Sequence, residues 1–265
     1  MKRFLTTMTL VTLAMFSCVT LAADMDLWFS PGWKSKGKKA KIISKVLSEQ
    51  AGISIKPCIA KSYPQILKEF DSGKASLVYV GSFVSAIIRA RELGEGLVQG
   101  ITGKEMYSGV LVYPKDGDPA SILSNDPDKI AYAVGASSGE SSAKAATGGK
   151  AAVKTKNHAA TVGAVKAGKA KAGVVKNWWW ESKSSRYPGM AMYRIPEISI
   201  EQNPDNVLSA SKGVPAADRA KIKSAAKASQ AAFGAKEMRD FDPALLDFTL
   251  SLMKKGQIDS KSYSW

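Results

Sequence analysis

Short apolar runs alternate with amphipathic stretches along most of the chain. Asp26-Leu27-Trp28-Phe29 predicts a strand, closed by the breakers Ser30-Pro31-Gly32. Over residues 38–50, Ile42, Ile43, Val46 and Leu47 recur at helical spacing on one predicted apolar face, and Gly52 ends the pattern. Residues 53–59 predict a second strand and 63–72 a second helix, through Ile66, Leu67 and Phe70. Leu77-Val78-Tyr79-Val80 is continuously apolar, as a strand buried on both faces should be. Gly81-Ser82 then opens a helix through Val84, Ile87 and Ile88. This alternation predicts an α/β fold with mostly parallel sheets flanked by helices.

The second half repeats the plan, with strands at 130–134, 151–154 and 172–175 and helices at 140–147, 158–167 and from 178 onward. Ser72-Gly73-Lys74-Ala75-Ser76-Leu77-Val78-Tyr79-Val80 is echoed by Ala167-Gly168-Lys169-Ala170-Lys171-Ala172-Gly173-Val174-Val175. Each is a helix end, a Gly-Lys-Ala turn and an apolar strand. Gly109-Val110-Leu111-Val112-Tyr113 runs into a Pro-bounded loop and predicts the crossing between two lobes. The chain returns at about 200–208, ahead of two helices near 216–233 and 243–255. The expected division is therefore 24–108 plus 200–265 for one lobe and 109–199 for the other, joined by a two-strand hinge.

The N-terminus changes the picture of where this fold works. Met1-Lys2-Arg3, an apolar stretch over 4–21, and Ala22-Ala23 describe a secretory signal peptide over 1–23. A membrane anchor is the rival, but the run is at the short end of the ~20 residues needed to span and carries Thr and Ser. Cys18 leaves with the signal, so Cys58 has no intrachain partner and no disulfide framework is expected. The formal charge is +15, and loss of Lys2 and Arg3 leaves +13. That field favours an anionic partner, and export argues against nucleic acid. One histidine and one mature cysteine make a His/Cys metal site improbable, and no cofactor is expected.

Chemistry concentrates at Gly135-Ala136-Ser137-Ser138-Gly139-Glu140-Ser141-Ser142, between a predicted strand and helix. A helix start offers unpaired N–H groups and partial positive charge, and Ser137 and Ser138 add hydroxyl donors, which suits an oxyanion. Asn177-Trp178-Trp179-Trp180 ends another strand on the same side, where open α/β sheets bind ligands. Asn177 is a candidate ligand contact there. The tryptophans, with Trp28, Trp33 or Tyr79, offer a rival aromatic box for a quaternary ammonium. Ser141-Ser142-Ala143-Lys144 matches the Ser-x-x-Lys of acyl-enzyme hydrolases, but no Ser-Asp-Asn or Lys-Thr-Gly follows. A non-enzymatic binding protein is the expectation.

Five stretches together resemble one family. They are Lys61-Ser62-Tyr63 with Phe70-Asp71-Ser72-Gly73; Val78-Tyr79-Val80-Gly81-Ser82-Phe83; Gly103-Lys104-Glu105-Met106-Tyr107-Ser108-Gly109; Ala136-Ser137-Ser138-Gly139; and Asn157-His158-Ala159-Ala160. In order and spacing this is similar to the phosphate-, phosphite- and phosphonate-binding periplasmic solute-binding proteins of ABC transporters. The resemblance implies a two-lobed monomer that closes on a small oxyanion and docks on an inner-membrane permease, or in a sensory variant on a receptor. It places Tyr63, Tyr107, Ser137, Ser138 and His158 in the cleft. Departures are informative: Glu140 replaces an apolar or aromatic residue and is expected to be a solvated first-turn carboxylate. Ala159 lacks the usual Asp, and Lys171 and Lys176 stand where acidic residues are common. These changes favour phosphate, phosphite or a simple phosphonate over an aminoalkylphosphonate.

Overall fold

Leu27 and Phe29 point to one side of their strand and Trp28 to the other, and helices cover both sides. The computed structural model describes residues 24–264, apart from the Ser137 side chain. The predicted leader and Cys18 lie outside the described residues. Strand β1 (Met25–Phe29), helix α1 (Gly37–Ala51), β2 (Ile55–Ile59), α2 (Tyr63–Asp71), β3 (Ser76–Val80) and α3 (Ser82–Ala90) follow the predicted alternation. Within α1 the apolar face is centred on Ala40, Ile43 and Leu47, whereas Ile42 is rotated outward and more than half exposed. The sequence pattern does not show β4 (Gly94–Ile101), because glycines interrupt its apolar run. Gly96 is required there: a Cβ would lie 2.2 Å from the Phe241 ring.

The chain then crosses on β5 (Met106–Tyr107) and enters β6 (Gly109–Pro114), α4 (Pro119–Asn125) and β7 (Ile130–Ala133). A π-helical turn, Ser137–Ser141, leads into α5 (Ser142–Ala146). Next come β8 (Val153–Thr155), α6 (His158–Lys166), β9 (Ala172–Lys176), α7 (Asn177–Lys183) and β10 (Met190–Tyr193). The return runs through β11 (Asn203–Pro204), β12 (Val207–Ser211), α8 (Ala216–Ala228), α9 (Gln230–Phe233), β13 (Glu237–Asp240) and α10 (Asp247–Lys255).

One sheet has the order β13-β4-β12-β3-β1-β2, the other β10-β6-β9-β7-β8. β5 and β11 pair antiparallel as a separate two-stranded ribbon, Asn203 opposite Tyr107. The crossing thus sits at Met106–Tyr107, and the Gly109-Val110-Leu111-Val112-Tyr113 run belongs to the second sheet. Both sheets carry more antiparallel pairing than strand–helix alternation predicts. β1 pairs parallel with β2 and β3, and β7 with β8 and β9, but β12 and β6 run antiparallel to their neighbours. The reason is topological, since both strands follow directly from the ribbon rather than through a helix.

Each sheet is covered on both faces. Leu27, Phe29, Leu77 and Tyr79 pack under α1 and α8, while Val78 and Val80 face α2 and α3. In the second sheet Tyr132 and Val174 face α5, and Val110, Val112 and Val175 pack with Val162 and Trp180. Burial of each large side chain contributes about 1.5–3 kcal/mol. α10 serves both halves: Met253 joins the first core and Leu252 the second.

Candidate functional site

The carboxyl ends of β1, β3, β7 and β9 open toward one cavity of about 280 Å³. Around it lie the starts of α2 at Tyr63, α3 at Ser82, the π-turn at Ser137 and α6 at His158. Helix starts carry unpaired N–H groups and partial positive charge, so their convergence makes the cavity favourable for an anion. A larger, open hollow of about 840 Å³ lies elsewhere, bordered by Lys68, Asp71, Arg91 and Glu92. It sits by the C-terminal ends of α2 and α3, where the helix dipole repels an anion.

The first half supplies hydroxyls and rings. Tyr63 hydrogen-bonds the Ser30 side chain, and burial raises its phenol pKa, so it stays protonated as a donor. The Tyr107 and Ser82 hydroxyls are 2.8 Å apart. Trp33 and Tyr79 pack edge-to-face and complete this wall. Gly81 keeps it open: a Cβ would stand 3.2 Å from Asp205 Oδ1 and 3.5 Å from the Tyr107 hydroxyl.

The second half supplies Gly135, Ala136, Ser138, His158 and Lys176. Ser138 Oγ is 3.4 Å from His158 Nε2, while His158 Nδ1 is buried without a hydrogen-bond partner among the described residues. Burial, and then the nearby Lys176 charge, hold the imidazole pKa down to about 4. His158 is therefore neutral at pH 7, and an oxyanion beside it would oppose that shift. Lys176 Nζ donates to Asp205 Oδ2 at 2.6 Å, with both side chains mostly withdrawn from solvent. Asp205 is followed by Asn206 at φ 58°, a left-handed conformation that Asn tolerates and that turns the chain sharply at the cavity.

The structure thus gathers Tyr63, Tyr107, Ser138 and His158 around one space, and the Ser137 side chain lies outside what it describes. Asn177 does not line the cavity. It is wholly buried, its Oδ1 accepting from Ser108 N–H at 3.1 Å and its Nδ2 donating to Glu201 at 3.0 Å. Glu140 also differs from expectation. It is buried rather than solvated, Oε2 accepting from Gly135 N–H at 2.8 Å and Oε1 from the Tyr263 hydroxyl at 2.6 Å. The carboxylate braces the Ser-rich loop from behind. Ser141 of the Ser-x-x-Lys pattern is fully buried and does not line the cavity. The tryptophans diverge: Trp180 is core, Trp179 packs against it and Tyr187, and Trp178 lies edge-on to Tyr107. Sequence reasoning missed Lys176 and Asp205 as site residues. Position at a strand end marked Lys176, but nothing local marked Asp205, which a return crossing delivers from a distant part of the chain.

Residues 38–242 match the family model of the ABC transporter phosphonate periplasmic substrate-binding protein. The chain belongs to this family. No curated protein matches it in sequence. Solved structures share the fold of this family member at low identity. One is a Xanthomonas citri protein, XAC2383, bound to ATP, at 12% identity and TM-score 0.70, covering 89% of this chain and 98% of that one. A binding protein component of an ABC phosphonate transporter from Pseudomonas aeruginosa gives 15% and 0.69, covering 89% and 87%. PhnD1 from Prochlorococcus marinus in complex with methylphosphonate gives 18% and 0.66, covering 89% and 99%. The family is two-lobed and periplasmic, and its members bind substrate for transport, as the sequence resemblance implied.

Proposed function

We propose that this protein holds a small phosphorus oxyanion in the cavity between its sheets, with Tyr63, Tyr107, Ser138 and His158 as contacts, and delivers it to the permease of an ATP-driven importer. The observation that carries the reading is the convergence of four helix starts on one cavity that also holds a lysine. Family membership supports it, and methylphosphonate occupies the related Prochlorococcus protein. The volume of about 280 Å³ suits phosphate, phosphite or a short phosphonate. Hydroxyl donors and helix-start N–H groups satisfy the anion's oxygens without a compensating metal, each charge-assisted bond contributing about 1.5–3 kcal/mol. Contacts from both lobes favour the closed form over the open one, which is how the ligand shifts the hinge equilibrium. The closed form, as a monomer in the periplasm, is the species that docks on the permease.

Isothermal titration of the purified protein with phosphate, phosphite, methylphosphonate, sulfate and choline tests this. One phosphorus oxyanion should bind, and Ser138→Ala should weaken it about tenfold or more. Undiminished affinity in Ser138→Ala would remove that residue from the site, and binding of choline alone would sink the reading.

A further inference from the structure

We propose that Lys176 acts as a built-in ligand cation: its ammonium fills an aromatic and carboxylate box at the cavity wall, so the natural ligand is a phosphorus oxyanion without an amine-bearing substituent. The proposal deepens the reading above and rests on it for the ligand's oxyanion head. Lys176 Nζ lies 4.1 Å from the Tyr107 ring centroid and 4.3 Å from that of Trp178. The two rings stand at 72° with centroids 5.9 Å apart, so they wall the ammonium on two sides. Asp205 Oδ2, at 2.6 Å, closes a third. Two ring faces and a carboxylate are the groups that recognise an alkylammonium.

The box is assembled from three parts of the chain: the crossing strand β5, the step from β9 into α7, and the turn between β11 and β12. Lys176 and Asp205 are only 17% and 23% exposed, unlike the rim pairs elsewhere, so water does not screen the interaction strongly. An ammonium carried by a ligand would meet Lys176 at like-charge contact and find Asp205 already taken. That is discrimination by repulsion as well as by attraction. It also answers the aromatic box suggested by the tryptophan run: the cation over Trp178 belongs to the protein itself.

Calorimetric titration of wild type and Lys176→Ala with methylphosphonate, 2-aminoethylphosphonate and methylammonium chloride decides the matter. Wild type should bind methylphosphonate on the order of tenfold more tightly than 2-aminoethylphosphonate, and Lys176→Ala should reverse the order. Methylammonium should bind Lys176→Ala and not wild type. Lys176→Arg should keep the wild-type order. Lys176→Met retains the apolar stem against the rings and guards against misfolding of the alanine variant; it should lose the discrimination. A wild-type preference for 2-aminoethylphosphonate, or an order unchanged in both Lys176→Ala and Lys176→Met, would overturn the proposal. Should no phosphonate bind any variant, the oxyanion reading falls. Methylammonium uptake by Lys176→Ala then upholds the box, and its absence refutes it.

Discussion

The two echoed segments end in strand-to-helix steps that can be compared residue by residue. Gly73 and Gly168 take the same left-handed turn, at φ 79° and 69°, which a side chain would strain. β3 and β9 follow as five-residue buried strands, each with neighbours on both sides. The residue opening each helix is wholly buried and grips the crossing: the Ser82 hydroxyl meets that of Tyr107, and Asn177 Oδ1 accepts from Ser108 N–H. The steps differ just before, where Gly81 stands against Lys176. Gly81 leaves room for Asp205 and the Tyr107 hydroxyl, and Lys176 reaches the same two residues with a cation. One scaffold used twice thus places an empty position on one side of the cavity and a charge on the other. The fold decides where a strand end sits, and the residue there decides what it binds.

Three experiments sharpen this comparison. The largest effect should come from His158 on the second wall. Its pKa is about 4 in the fold against an ordinary 6.5, so the unfolded chain binds the extra proton between those values. Stability should be full above the unfolded pKa and fall by up to about 3 kcal/mol as pH drops from 6.5 toward 4. Urea unfolding across that range should show the slope, and His158→Gln should flatten it; an equal slope in the variant would show that other groups titrate.

Next, Asn177→Ala should cost about 2 kcal/mol, because it strands a buried N–H of Ser108 and leaves Glu201 with Arg194 alone of these two donors. Ser82→Ala should cost about 1 kcal/mol, since it removes one hydroxyl pairing. Equal costs in chemical denaturation would mean that the two grips on the crossing are equivalent. Comparable to Asn177→Ala is Tyr263→Phe, at about 2 kcal/mol, because it removes a charge-assisted bond to a buried carboxylate while Glu140 keeps the Gly135 N–H. A loss of ligand affinity exceeding the loss of stability would show that the brace behind the Ser-rich loop tunes the site.

Much of this was legible in order and spacing. Apolar runs such as Leu77-Val78-Tyr79-Val80 could only be buried strands, and Gly73 and Gly168 marked turns before them. The Ser-rich loop was marked by local helix-start chemistry, and His158 by the family resemblance of Asn157-His158-Ala159-Ala160. Asn177 was read as a ligand contact because position at a strand end was all the sequence offered; its actual partners, Ser108 and Glu201, are distant along the chain. Glu140 was read as solvated because a first-turn carboxylate usually faces water, and Tyr263, which helps to bury it, arrives from the C-terminal segment.

The sequence by itself determined the alternation of elements, the two-lobed α/β plan and the oxyanion-binding family, because these rest on periodicity, turn chemistry and ordered motifs. Only the tertiary structure decided which polar groups face the cavity and which are consumed within the protein. Lys176 meets Asp205, and Glu140 meets Tyr263, across separations that the chain closes only by folding. The physical reason is that a buried polar group is defined by its partner, and local pattern carries no information about partners brought from elsewhere.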